Sequence, residues 1–428
     1  MKFEVKKMRI KGHLTLAFIS LFQWGLGAQE ISFRRVGAAQ GLADNLVHDA
    51  VKDNNGLIWM ATAAGLQTFD GYHIEDWNFA TDSLLLTRDI RDLWVDASNQ
   101  IWMLGANGRL LLLDASRKPK LITHQNHADS ARLRFLLPSS DGRQMHLLVG
   151  HSLMHVNEKW QIEKTGNLPD SLLRPIYSKE MQVGNDHYLI AGASRVLLIS
   201  LKTSEIKKVW YVPRALCAVM LPNNKMLVTT ELNRQMFLMD TATGKILENL
   251  GDLKDQYGAR PNGYLRYLAA LPDGRFAVTS GYGGVYIVDP HKKKLWANAH
   301  HPLRDHSVSA NNTYNIRATT DGFILVTTRT SGLNIANIKQ PLATTVRRFT
   351  DERSGRFFDG FVGPVSPAEK NDVWLGSQGG LFLWDGQGNQ VRFAEYGQMD
   401  GESIAGKEEV RVLRKDQLGR LWVGLNRY

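Results

Sequence analysis

Short apolar runs of the kind that form β-strands recur along the chain, each followed by a small or polar break and a second such run. "LIWMAT" (57–62) is followed by "GLQTFD" (65–70), "QIWMLG" (100–105) by "GRLLLLD" (108–114), and "RFAVTS" (275–280) by "GGVYIVD" (283–289). Near the far end "VWLGS" (373–377) is followed by "GLFLWD" (380–385). The gaps between these pairs hold no helix-length amphipathic segment, so parallel α/β folds are excluded. A tight turn precedes each pair: Asn55-Gly56, Ser98-Asn99, Asp141-Gly142, Gly184-Asn185, Asn223-Asn224, Asp273-Gly274, Asp321-Gly322, Asn371-Asp372 and Leu418-Gly419. Gly, Asn, Asp and Ser tolerate positive φ or bond their own backbone, as a hairpin turn requires. The second residues of these pairs lie 39 to 50 positions apart.

A unit of about 45 residues holding four short strands is one propeller blade. A β-sandwich would show fewer strands and no such self-similarity. The pattern therefore predicts an all-β fold. Residues 29–350 are read as a seven-bladed β-propeller, and 351–428 as the first two blades of a second propeller, the last of them incomplete. The strand "ISFRRV" (31–36) stands alone ahead of the first unit. A closed ring needs such a strand to complete its last blade, which removes an exposed edge.

Composition agrees with many short strands and tight turns: 43% apolar and 22% charged residues, with 38 Gly against 13 Pro. The net charge of +10 is not a nucleic-acid signal, because four of those charges sit in the first 28 residues and no run of five basic residues occurs. That opening segment has Lys6, Lys7, Arg9 and Lys11 before an apolar core from Leu14 to Leu26, and then Gly25, Gly27 and Ala28. It reads as a signal peptide over 1–28, cut after Gly27 or Ala28. No later segment is apolar enough to span a membrane, so the mature chain is expected outside the cytoplasm. The single cysteine, Cys217, excludes an intrachain disulfide and reads as a small buried hydrophobe.

"GLADNLVHDAVKDNNGLIWMATAAGLQTFDG" (41–71) resembles the two-component regulator propeller repeat, through Gly41, Leu42, Asn45, Asp53, Gly56, Trp59, Thr62, Gly65, Leu66, Phe69, Asp70 and Gly71. Trp102, Asp114, Trp374, Gly376, Gly380, Leu381, Asp385, Asp416, Gly419 and Trp422 repeat parts of the pattern. The resemblance implies the periplasmic sensor region of a Bacteroidetes hybrid two-component regulator. It implies two consecutive seven-bladed propellers, a small β-sandwich, a membrane span and an output region. Against that plan this chain reads either as a fragment or truncated gene product, or as one whose remaining parts lie elsewhere. The resemblance also implies an oligosaccharide cue, and a homodimer whose arrangement shifts on binding in a full-length relative.

No catalytic residue, cofactor or metal site is predicted. Asp53-x-x-Gly56-x-Ile58-Trp59 looks like a chemical motif, but its recurrence at Asp416, Gly419 and Trp422 marks it as a turn brace. His124, His127 and Asp129, and His300, His301, Asp305 and His306, have ligand-like composition but sit between blades, where a solvated loop is the expectation. Gly281-Tyr282-Gly283-Gly284 is followed by a strand and not a helix, so it is no phosphate cradle. Ligand-binding candidates come instead from loops that a propeller gathers at one mouth: Asp44, Asn45, Asn107, Tyr282, Arg329 and Gln378. A propeller enzyme acting on polysaccharide (lyase or hydrolase) and a protein-interaction scaffold are the alternative functions.

Overall fold

The first eight repeats fold, in the computed structural model, as antiparallel sets of four strands, those of the second and third joined edge to edge. The structure describes residues 31–77, 84, 87–124, 133–139, 144–149, 152–169, 181–183, 186–192, 194–232, 234–302, 304 and 306–339. Beyond these it describes 349–350, 357–358, 363–368, 372–377, 380–384, 391–393, 398–399, 402–403, 409–416 and 420–426. Gly27, Ala28, Gln378, Asp385 and Gly419 lie outside the described residues. Among the described residues no helix is long and apolar enough to cross a membrane.

Residues 31–345 form one compact unit. Sheet 1 runs Val47–Lys52, Ile58–Thr62, Gly65–Phe69 and Ile74–Asp76, from the innermost strand outward. Sheets 2 to 6 repeat that order, with inner strands Ile90–Val95, Leu133–Pro138, Met181–Val183, Ala215–Leu221 and Leu265–Ala270. Sheet 7 has Thr313–Ala318, Phe323–Thr328 and Leu333–Asn337 from the end of the unit, and Arg34–Val36 from its beginning. The outer strands of sheets 2 and 3 also pair in parallel, Thr123 with Gln161 and His124 with Ile162.

Alternate residues of a middle strand go to different neighbours. Trp59 and Ala61 pack against Ile90, Leu93 and Ile101 of sheet 2, while Ile58 and Met60 pack against Leu325, Leu333 and Ile335 of sheet 7. Both faces are buried, so the strand reads as an unbroken apolar run and not as a period-two alternation. A separate apolar cluster fills each junction around the ring, through sheets 2–3, 3–4, 4–5, 5–6 and 6–7. Cys217 is buried in the junction of sheets 5 and 6.

The early strand closes the ring. Arg34, Arg35 and Val36 pair with Ile335, Asn334 and Leu333. The loop containing His300 and His301 clasps it. Arg35 donates from Nε to Ser307 O at 2.9 Å and from Nη2 to Arg304 O at 2.8 Å, and Phe33 N donates to His306 O at 2.7 Å. The described histidines of that loop therefore belong to a bracket for the closing strand, where the sequence suggested only a solvated loop. Gly332 makes the approach possible. Its φ is +78°, and a Cβ there would lie 2.1 Å from Val36 O.

The sequence-marked turns that lie among the described residues join the first and second strands of their sheets. Gly56, Asn99, Asn224, Gly274 and Gly322 all have positive φ there. Asp53 braces the first turn. Its Oδ1 accepts from Asn55 N at 2.9 Å and Leu57 N at 3.0 Å, and its Oδ2 accepts from the Trp59 indole at 3.0 Å. Arg117, from the next sheet, donates to the same Oδ2 at 2.6 Å. Asp96 and Trp102 repeat the indole bond at 3.0 Å.

From residue 349 onward the strands form a second unit. Val365–Pro367, Val373–Ser377, Gly380–Trp384 and Val391–Phe393 make a four-stranded sheet, and Glu409–Lys415 pairs with Leu421–Asn426. Asp416 Oδ2 accepts from the Trp422 indole at 3.1 Å, so this hairpin carries the same brace. Ahead of Trp374 the brace position is Ala368, which has no carboxylate to offer.

The two Asp–Trp braces differ in burial: Trp59 is 0% exposed and Trp422 61%. Asp53→Ala is expected to cost about 1–3 kcal/mol, because it strands a buried indole N–H and the Arg117 guanidinium, whereas Asp416→Ala should cost under about 1 kcal/mol. Urea unfolding followed by tryptophan fluorescence checks the ranking, and equal costs would deny the buried brace its role.

Candidate functional site

The inner strands surround the ring axis, and most of them carry a bulge near their start. In sheet 1 the pairing register slips between Val47 and Asp49, in sheet 2 between Ile90 and Asp92, and in sheet 3 between Leu133 and Phe135. It slips again between Ala215 and Cys217, Leu265 and Leu268, and Thr313 and Ile316. Sheet 4 shows only Met181–Val183 of its inner strand. A bulge sets a residue free of the ladder and re-aims its side chain. The residues at these slips include His48, Arg91, Arg266, Tyr267, Tyr314 and Asn315. None of them stands out in the sequence as a binding candidate, although each is a polar or aromatic residue near the start of an otherwise apolar run.

Two clusters grow from these positions. The first joins sheets 7, 1 and 2 around Asp49, which is 1% exposed. Arg317 Nε donates to Asp49 Oδ1 at 2.9 Å, and its Nη2 donates to Asp49 Oδ2, to Asp92 Oδ1 at 3.1 Å and to Leu93 O at 2.8 Å. Asn315 Nδ2 donates to Asp49 Oδ1 at 2.8 Å, and Leu93 N to Asp49 Oδ2 at 3.2 Å. The Arg317 guanidinium also lies 5.5 Å from the Trp94 ring centroid. Every carboxylate oxygen of Asp49 is thus engaged, which is what a buried charge needs.

Beside it, His48 Nε2 lies 3.1 Å from Asp89 Oδ1, and Arg91 pairs with the other oxygen of Asp89. Burial pushes the His48 imidazole below its usual range, and the Arg91 charge pushes it the same way against the pull of Asp89. His146, in sheet 3, is lowered by burial and by the neighbouring His155. Both imidazoles are therefore favoured in the neutral form. Among the described residues no group of three or more His, Cys, Asp or Glu side chains could hold a metal ion.

The second cluster is aromatic and cationic, and spans sheets 6 and 7. Tyr264 meets Tyr282 edge-to-face with centroids 6.0 Å apart, and Tyr267 meets Tyr314 likewise at 6.3 Å. Arg329 lies 4.8 Å from the Tyr314 centroid. Arg266 lies 4.7 Å from that of Tyr264, donates to its hydroxyl, and donates to Thr313 O at 2.8 Å. Tyr282 is 62% exposed. Its loop is shaped by Ser280, whose Oγ accepts from Tyr282 N at 3.2 Å and Gly283 N at 3.1 Å.

Loops entering a sheet and loops joining its second and third strands lie side by side. Ala63 N donates to Leu46 O at 3.2 Å, Ala106 N to Asp89 O at 2.8 Å, Glu231 N to Arg214 O at 2.9 Å and Gly281 N to Tyr264 O at 3.0 Å. Of the sequence candidates, Tyr282 and Arg329 fall in the aromatic cluster. Asn45 sits next to the Arg329 loop, its carbonyl accepting from Gly332 N at 3.0 Å, but its side chain accepts from Ala38 N and holds the chain's entry. Asp44 Oδ1 accepts from Leu46 N at 2.8 Å, and Asn107 Oδ1 accepts from Arg109 N at 3.1 Å, each shaping its own turn. Gln378 is outside the described residues. His124 ends a strand of sheet 2, and His127, Asp129 and Asp305 are also outside the described residues.

No family model and no curated protein sequence matches the chain. Solved structures do share its fold. The extracellular domain of the putative hybrid two-component system BT3049 from B. thetaiotaomicron aligns at 15% identity with a TM-score of 0.56, over 92% of this chain and 58% of that one. The extracellular domain of the putative one-component system BT4673 from the same organism aligns at 15% identity and TM-score 0.54, over 93% and 52%. Virginiamycin B lyase from Staphylococcus aureus aligns at 11% identity and TM-score 0.55, over 72% of this chain and 100% of the lyase. The chain spans between half and three fifths of the length of the two extracellular domains. The fold is a β-propeller, common to those extracellular domains and to a lyase.

Two outcomes follow from this geometry. Arg317→Met leaves Asp49 charged and buried, and should cost about 3–5 kcal/mol of stability by urea titration, whereas the paired replacement with Asp49→Asn should recover much of that loss. The second concerns acid. An unfolded imidazole protonates near 6.5 and the folded ones only below it, so stability is full above that pH and falls as pH drops through it. His48→Gln and His146→Gln together should flatten the fall in melting temperature between pH 7 and pH 5, measured by calorimetry, and an unchanged slope would rule the two histidines out as its source.

Proposed function

We propose that this chain is an extracytoplasmic sensor whose propeller binds a carbohydrate-derived cue at the loop mouth. In this reading residues 29–350 form the seven-bladed sensing ring, 351–428 begin a second ring, and residues 1–28 direct export to the periplasm. The observation that carries the reading is the cluster of Tyr264, Tyr267, Tyr282 and Tyr314 with Arg266 and Arg329. Exposed phenol faces stack on sugar rings and their hydroxyls bond to sugar hydroxyls, while guanidinium forks add donors.

The extracellular domains of BT3049 and BT4673 share the architecture, which supports an exported sensor over a scaffold. Binding in this reading is non-covalent, and a homodimer of the full-length protein carries the signal by shifting its arrangement. His48 is buried against Asp89, and Asp89 is engaged with Arg91, which favours support of the inner strands over acid–base work on a ligand.

A screen of the purified protein against an oligosaccharide array, followed by calorimetry on each hit, tests the reading. Tyr282→Ala and Arg329→Ala are both surface changes, and each should weaken a hit by about tenfold, the 1.4 kcal/mol expected of one stacking or charged contact. The recovered sugar should be intact by mass spectrometry. Cleaved products would establish a lyase or hydrolase instead, and an array without hits would remove the carbohydrate cue.

A further inference from the structure

Arg266 is a cation nine-tenths buried, 9% exposed, and no carboxylate is within ion-pair distance of it among the described residues. Its partners are the Thr313 carbonyl, the Tyr264 hydroxyl and the Tyr264 ring. Arg317, Arg117 and Arg91 by contrast each meet an aspartate. Burying an unpaired charge is costly, and arginine cannot escape the cost by releasing its proton. Those two contacts use only two of the five guanidinium donors. The surrounding phenols and Arg329, which has no acidic partner among the described residues, add no negative charge.

We propose that Arg266 is the anion-recognising group of the mouth. It receives the carboxylate or sulfate of an acidic sugar whose ring stacks on Tyr282, with Arg329 as a second, solvent-facing cation. The inference deepens the sensor reading and rests on it: it names the cue as an acidic oligosaccharide. A planar fork suits both oxyanions, because each presents two oxygens to parallel N–H donors. Thr313 and Tyr264 hold the fork in place before the ligand arrives, so little rotamer entropy remains to be lost on binding. The bulge of the inner strand of sheet 6 is what carries Arg266 into this position, between the ladder pairs Leu265–Ser280 and Leu268–Val278.

The test compares sugars that differ only in charge, by calorimetry on the full chain. The pairs are oligogalacturonate against its methyl ester, and a sulfated galactan oligosaccharide against the desulfated form, with inorganic sulfate as a probe of the anion alone. The acidic member of at least one pair should bind about 30-fold more tightly than its neutral partner, the worth of one charge-assisted fork, and the preference should shrink with added salt. Arg266→Gln should abolish the preference, Arg266→Lys should keep part of it, and Tyr282→Ala should weaken acidic and neutral members alike. If Arg266→Gln does not fold, Arg329→Ala and Arg266→Lys carry the comparison. Equal affinity within both pairs overturns the charge assignment and leaves the sensor reading standing. An acidic preference unchanged in the Arg266 variants overturns the role of Arg266. Binding of no sugar overturns both, and binding of sulfate without any sugar reduces the site to an anion hole and overturns the acidic-sugar assignment.

Discussion

A ring of sheets is stable only if its last member meets its first, and here Asp49 stands at the centre of that meeting. Its carboxylate takes Arg317 and Asn315 from sheet 7 and the Leu93 amide from sheet 2. The rims of the same seam are fixed separately. At one edge Gly332 N donates to Asn45 O at 3.0 Å, and at the other Lys52 pairs with Asp321 and lies 4.4 Å from the Phe323 centroid. Between them Val36, Leu325, Leu333, Val47 and Met60 form an apolar junction. A buried ion pair alone is weak evidence for stability, because desolvation offsets much of the attraction. What it does here is fix register: an Asp that accepts from sheets on both sides has one place to sit.

The fold was legible because blade turns have strict demands. A turn that needs positive φ selects Gly or Asn, and the run after it must be apolar on both faces, so each unit leaves a signal some 39 to 50 residues from the last. The closing strand was legible for a related reason, since "ISFRRV" had no partner within the first unit. What the sequence did not reveal was that the Asp of the turn motif accepts from the indole of its own Trp. Asp53 and Trp59 are six residues apart, and only the hairpin brings the N–H to the second carboxylate oxygen. Nor was the role of His301 and His306 visible, because their backbone carbonyls accept from Arg35 and Phe33.

The candidate site was legible only in part. Tyr282 and Arg329 stood out as loop residues with stacking and hydrogen-bonding side chains. Their partners Tyr264, Tyr267, Tyr314 and Arg266 did not, since they occupy inner strands or the residues just before them, where a polar residue reads as a fault in the apolar pattern. The bulges explain those faults. "VHDAV", "IRDLW", "LRYLA" and "TYNIR" all interrupt their alternation near the start of an inner strand, where the register slips. Asp44, Asn45 and Asn107 illustrate the opposite case. Each has the composition of a binding residue, but short polar side chains in loops bond their own backbone first.

Both clusters depend on one strand, Thr313–Ala318. Thr313 O anchors Arg266 and Tyr314 stacks with Tyr267 and Arg329, while Asn315 and Arg317 reach the other way to Asp49. The aromatic cluster therefore rests on the segment that the closure network holds most firmly. A site on such a strand is set before any ligand arrives, which lowers the ordering cost of binding. On the sensor reading it would also limit how a signal leaves the ring. A strand held by a buried, fully engaged carboxylate has one arrangement and not two, and coupling between distant sites needs an element with two. On the sensor reading proposed above, a message from a ligand at this mouth would then travel as a change in how the whole ring is placed against its neighbours, and not as a rearrangement within it.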